Sequence, residues 1–182
     1  QGEIDRLLPN LLDASLIIKR EIPEAGFILP LAPGLNADAV QTLIHQRQLP
    51  VTVVEDKFHQ ALDICDLALV VSGTATLETA LMEKPMVIIY RVTPFTYMIG
   101  RMLVNVDSIG LANIVAGRKI VPELIQKEAT PARIADEALR ILHSPDQIQR
   151  MKTELRRVRE RLGEGGAANR VARLAYEMME KK

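Results

Sequence analysis

A doubly wound α/β domain, with a parallel sheet covered by helices on both faces, is the fold class this sequence predicts. Strand-like runs such as "PMVIIYR" and "DLALVVSG" are apolar at successive positions instead of alternating, as strands buried from both sides must be. Segments of helical spacing alternate with those runs across short crossovers, the arrangement of repeated βαβ units. With 182 residues, 48% of them hydrophobic, the chain can bury one full core, and one globular unit is expected.

The opening segment "QGEIDRLLPNLLDASLIIKR" reads as an amphipathic helix, with Ile4, Leu7, Leu8, Leu11 and Leu12 at helical spacing. In an alternating chain the first helix follows a strand, so the sequence reads as starting just after a strand and its ligand-side loop. "GFILPLAP", Gly26 to Pro33, is then a strand, and "NADAVQTLIHQRQ" is a helix with Asn36 as its cap. "VTVVE" follows as strand, "KFHQALDIC" as helix, "DLALVVSG" as strand, "TATLETALME" as helix and "PMVIIYR" as strand.

The second half reads as helical. Thr93, Thr130 and Ser144 each precede a proline, the pattern of a capping hydroxyl with proline at the first helical position, and Gln147 completes a capping-box pattern after Ser144. Between the first two starts lies "VDSIGLANIVAGRKIVPELIQKEA", expected as a long functional loop with a short helix near Pro122. Gly163, Gly165 and Gly166 break the last segment, which resumes as a helix with Val171, Leu174, Ala175 and Met178 on one stripe. Such a stripe needs a partner, so the helices after Ser144 are expected to project from the core and associate with a second chain.

Composition narrows the function classes. Charge is balanced, 23 basic residues against 23 acidic, which gives no general attraction to nucleic acid. The single Cys65 precludes an internal disulfide framework and suits a reducing compartment. No apolar run reaches the roughly 18 to 20 residues of a bilayer span. His45, His59 and His143 lie on different helices with no Cys or carboxylate partner at ligand spacing, so no metal site is expected and the three are read as surface residues. Cys65 has no adjacent basic residue or partner thiol in the sequence and reads as packing.

The strongest candidate site is the turn "SGTAT". In open parallel sheets ligands bind beyond the carboxyl ends of the strands, where helix N-termini present free N–H groups and partial positive charge. There Gly73 lets backbone approach a ligand, Ser72, Thr74 and Thr76 can donate to phosphate oxygens, and Glu78, one turn into the helix, can accept from sugar hydroxyls. Phosphate beside ribose means a nucleotide. The alternative is an ordinary strand-to-helix turn, with Glu78 an acid favoured by the helix dipole alone.

"SGTATLETALMEKPMVIIYR", "PFTYMIGRMLV" and "LANIVAGRKIVPELIQ" together resemble the C-terminal half of the lipid-A-disaccharide synthase family, glycosyltransferases of the two-domain GT-B architecture, and the resemblance extends over essentially the whole chain. It implies a Rossmann-like, UDP-sugar-binding domain over residues 1–143 lacking its first strand, with C-terminal helices over 144–182 that cross to another domain or chain. The implied reaction transfers diacylglucosamine from its UDP conjugate to diacylglucosamine 1-phosphate, giving a β-1,6 disaccharide and UDP. It is inverting, needs no metal or other cofactor, and draws its general base from the other half. The implied location is cytoplasmic, peripheral to the inner membrane.

By the same resemblance Ser72, Gly73 and Thr74 serve the diphosphate of the donor and Glu78 its ribose hydroxyls. Asn113, in "LANIVAGR", is the catalytic candidate, bonding donor sugar or diphosphate, with a turn-forming Asn as the alternative. Arg91 is assigned to the diphosphate or a lipid phosphate, with a surface ion pair as the alternative, and Arg118 is a further substrate-binding candidate. "PFTYMIGRMLV" is either buried or turned toward acyl chains. The run from Arg150 to Arg161, six basic residues against two acidic, is either a solvated face or a contact for anionic head groups. Two rivals stay open: another UDP-sugar GT-B enzyme, such as a cell-wall UDP-GlcNAc transferase or an epimerase, and a non-catalytic α/β interaction module.

Overall fold

A computed structural model describes residues 2–91 and 108–163 together with Tyr176. In chain order the elements are α1 (Gly2–Glu21), β1 (Phe27–Leu31), α2 (Ala37–His45), β2 (Val51–Glu55), α3 (Phe58–Ile64), β3 (Ala68–Val71), α4 (Thr74–Leu81), β4 (Met86–Tyr90), α5 (Leu111–Ala116), β5 (Glu123–Ile125), a 3-10 turn (Gln126–Glu128), α6 (Pro131–Leu142) and α7 (Pro145–Leu162). The α/β class and the alternation through β4 match the sequence prediction. The helix start at Thr93, the apolar segment from Phe95 to Leu103 and the final apolar stripe lie outside the described residues.

All strand pairs are parallel. They form a two-stranded sheet, β1–β2, with Phe27 opposite Val51, and a three-stranded sheet in the order β3–β4–β5, with Ala68 opposite Met86 and Ile88 opposite Glu123. β4 is the central strand. Met86 and Ile88 point to one face and Val87 and Ile89 to the other, and all four are buried, so this sheet is covered on both sides. One side chain set belongs to α1 and α6, which pack on each other; α4, α5 and α7 form a second packed group.

Helix α1 serves both sheets. Its Leu7, Ala14 and Ile18 join the core around β3, β4 and α6, while Leu8 and Leu12 join a smaller core with Leu31, Val40, Ile44 and Leu49. Such adjacent positions point to neighbouring stripes of one helix. Asn10 Nδ2 also donates to the carbonyl of Ala129 at 2.9 Å, fastening α1 to the start of α6.

Three capping expectations can be compared with geometry. Asn36 Oδ1 accepts from Ala39 N at 3.0 Å, and Thr130 and Ser144 likewise receive the N–H three residues on. The capping box after Ser144 does not close, because the Gln147 side chain accepts from Arg140 Nη1 at 2.7 Å instead of reaching back.

Two expectations are corrected. The short helix of the long loop lies at Leu111–Ala116, not near Pro122, where the chain forms strand β5. Gly117, left-handed at φ 71°, ends the helix, and the apolar run after it finds a free edge of β4, with Ile88 N donating to Pro122 O at 2.9 Å. Nor does α7 project. Its Met151, Leu155 and Val158 are buried in the same core as β4, so the boundary expected at Ser144 divides no hydrophobic core.

Candidate functional site

Residues Ser72 and Gly73 follow β3 and Arg91 follows β4, so parallel strand direction puts all three at the carboxyl edge of the three-stranded sheet. Ser72 N donates to Ile89 O at 2.9 Å, extending the β3–β4 pairing by one residue into the turn. Helix α4 then starts at Thr74 with Gly73 as its N-cap and no side-chain capping bond. The first N–H groups of such a helix point outward without intrahelical partners. A Cβ placed on Gly73 would meet no described residue within 4 Å, and its backbone is extended, so neither its conformation nor packing among the described residues calls for glycine here. Open space over an uncapped helix start is what a phosphate requires.

Thr76 has another task. It is fully buried, and its hydroxyl donates to Gly73 O at 2.7 Å, so it fixes the turn from beneath and is not free to bind a ligand. Ser72 and Thr74 remain accessible, as does Arg91, which forms no ion pair with a described residue. Glu78 is half-exposed on α4, about one turn from the helix start.

Sequence reasoning passed over the neighbour of Glu78. His59 Nε2 stands 3.2 Å from Glu78 Oε2; the imidazole is exposed, as expected from the sequence, and its carboxylate neighbour comes from the next helix rather than from ligand spacing along the chain. The two are nineteen positions apart on successive helices, and only the fold brings them together; no local spacing signals it. Among the described residues no group of His, Cys, Asp and Glu is arranged to hold a metal ion.

Asn113 lies elsewhere. It is buried, 1% exposed, and its amide is fully engaged: Nδ2 donates to Val121 O at 2.9 Å and to Glu123 Oε1 at 2.7 Å, while Oδ1 accepts from Ile120 N at 2.8 Å and Val121 N at 3.0 Å. That uses the four sites of a carboxamide. Glu123, unnoticed within "VPEL", completes the arrangement by accepting from Ile109 N at 2.9 Å and Gly110 N at 3.0 Å, so it caps α5 from thirteen residues away. Gly110 allows this approach: a Cβ there would collide with Ile88 Cδ1.

Arg118 is not brought to the turn. It precedes β5, at the opposite end of the parallel sheet from Ser72, and pairs with Glu154 of α7. There it lines a cleft of about 880 Å³ whose walls carry the basic residues Arg118, Lys119, Arg140, Arg150 and Arg157 against the acids Asp146 and Glu154. Cys65 is half-buried, and burial pushes its thiol up despite nearby Lys84, in keeping with a packing role.

A family model described as lipid-A-disaccharide synthetase matches residues 1–177. Proteins named lipid-A-disaccharide synthase are similar along the whole chain. The one from Geobacter metallireducens is 47% identical over 182 residues, covering 100% of this chain and 47% of the relative. Those from Geobacter sulfurreducens and Syntrophus aciditrophicus are each 44% identical over 182 residues, covering 100% of this chain and 47% and 48% of the relatives. The chain thus spans about half the length of the curated relatives it matches. Among the described residues no helix is long and apolar enough to cross a membrane.

Proposed function

The chain belongs to the lipid-A-disaccharide synthetase family, and on that premise we propose that it is the donor-binding part of a glycosyltransferase that moves diacylglucosamine from its UDP conjugate to diacylglucosamine 1-phosphate. The observation that carries this reading is the uncapped start of α4, open above Gly73 and one helical turn from Glu78. The α- and β-phosphates of the donor sit against the N–H groups of Gly73 and Thr74 and the hydroxyls of Ser72 and Thr74, with Arg91 adding charge. Glu78 accepts the ribose hydroxyls.

Leaving-group charge develops on the diphosphate as the glycosidic bond breaks, and fixed N–H dipoles stabilise it without reorganisation. In this reading Asn113 acts as a positioning residue. It joins Glu123 in fixing α5, whose start terminates the segment leading from β4 and Arg91, so its influence on turnover is indirect. The acceptor site and general base are assigned to the portion of the relatives that this chain does not span.

The sheet pairing fits the same reading. In the doubly wound order 3-2-1-4-5-6 the first strand lies between the second and the fourth. If β1 to β5 are the second to sixth strands, the division between β1–β2 and β3–β4–β5 falls at that position, and α1, packed on both cores, is the helix that follows it.

A peripheral contact with the inner membrane, from the cytoplasmic side, is supported by the basic cleft and the cationic face of α7. Homodimerisation is assigned to the residues after Gly163, on the strength of their apolar stripe. Calorimetric titration of the chain with UDP tests the donor assignment: saturable one-to-one binding is expected and counts against the non-catalytic module, while its absence would withdraw the donor assignment from this chain taken by itself.

A further inference from the structure

We propose that His59 is a positioning residue of the donor site, holding the Glu78 carboxylate for the cis-diol of the donor ribose, an inference resting on the reading of Glu78 as the ribose-binding acid. His59 is the second residue of α3, which follows β2, and Glu78 belongs to α4, which follows β3. β2 and β3 lie in different sheets, so the 3.2 Å contact between His59 Nε2 and Glu78 Oε2 links the carboxyl edges of the two. The imidazole is oriented in turn by Phe58, with ring centroids 5.6 Å apart and planes at 73°.

The exposure of the pair decides what it is for. The side chains are 64% and 43% exposed, and an ion pair this open to solvent contributes little to folding. Both groups are within reach of a ligand. A solvent-facing glutamate populates several rotamers, and ordering it on binding costs affinity. The His59 imidazole, 3.2 Å from one carboxylate oxygen, selects an orientation beforehand. It leaves the other oxygen, and the second lone pair of the first, for two ribose O–H donors. Among the described residues the Glu78 side chain forms no hydrogen bond and no other ion pair, so His59 alone among them supplies this restraint.

The test compares UDP with 2′,3′-dideoxy-UDP by calorimetric titration of the chain and of its His59→Ala and His59→Gln variants. The unmodified chain is expected to bind UDP more tightly than the dideoxy analogue. His59→Ala should lose about 3- to 10-fold in UDP affinity, the scale of one polar interaction, with the analogue unaffected. His59→Gln, which keeps an N–H donor, should recover most of the loss. Equal losses for both ligands, or none for UDP, would overturn the positioning role while leaving Glu78 as the ribose acid. An unmodified chain that binds the two ligands equally, or neither, would instead overturn the ribose reading and the inference with it.

Discussion

The carboxylate of Glu123 accepts a hydrogen bond at 2.7 Å from Asn113 Nδ2, and the same carboxylate receives Ile109 N and Gly110 N. One acid at the start of β5 thereby fixes both the beginning of α5 and the loop that follows it. Asn113→Ala would strip Ile120 N and Val121 N of their acceptor in the interior. Unfolding by denaturant should show a loss of about 2 to 4 kcal/mol. A loss under about 0.5 kcal/mol, the range of ordinary surface changes, would mean the loop is held by something else.

Gly110→Ala should also destabilise, by about 1 to 3 kcal/mol, the usual cost of overpacking a filled core. The added methyl must displace the Ile88 side chain, which is buried in β4, and it crowds Glu123 Oε1 as well. An unchanged midpoint in a denaturant titration would contradict the packing described.

Gly73→Ala separates binding from folding. Its Cβ meets no described residue and its backbone is extended, so thermal stability should stay within about 0.5 kcal/mol of the parent. UDP affinity should nevertheless fall about tenfold or more, because the methyl occupies the approach to the helix N–H groups. Equal affinity for both proteins would remove Gly73 from the donor site.

Glu83 gives a pH signature. Its hydrogen bond from Arg156 at 3.0 Å, supported by Arg159, holds its carboxyl below the ordinary carboxylate range. A depressed native pKa contributes stability that is present above the unfolded value and lost as pH falls through the native one. Glu83→Gln should therefore be less stable than the parent at neutral pH, and the gap should close as the pH drops below about 4. A gap that persists undiminished at acid pH would show that the carboxylate charge is not the cause.

The alternating elements through β4 were legible because apolar runs of strand length and amphipathic helices of different period carry the fold in local sequence. Asn36, Thr130 and Ser144 were legible for the same reason, since a cap acts within three residues. β5 was not, because its three residues become a strand only by pairing with β4. The turn from Ser72 to Thr74 was visible from its small residues and its place after a strand. The engagement of Thr76, the partnership of His59 with Glu78 and the saturation of Asn113 depend on which groups the fold brings within bonding distance, and sequence spacing does not encode that. The pairing of Arg118 with Glu154, thirty-six residues away on α7, is likewise set by the fold and not by sequence spacing.

The central claim is that Glu78, beside the open start of α4, receives the ribose of a uridine diphosphate donor. The most direct measurement is UDP affinity of the chain and of Glu78→Ala, with the thermal stability of both recorded in the same buffer. The account predicts a loss of about 1 to 3 kcal/mol of binding free energy, the range for leaving polar groups without their partner, with stability nearly unchanged because the side chain is half-exposed and its ion pair with His59 lies at the surface. Unchanged UDP affinity accompanied by a large loss of stability would contradict it and make Glu78 a structural acid of helix α4.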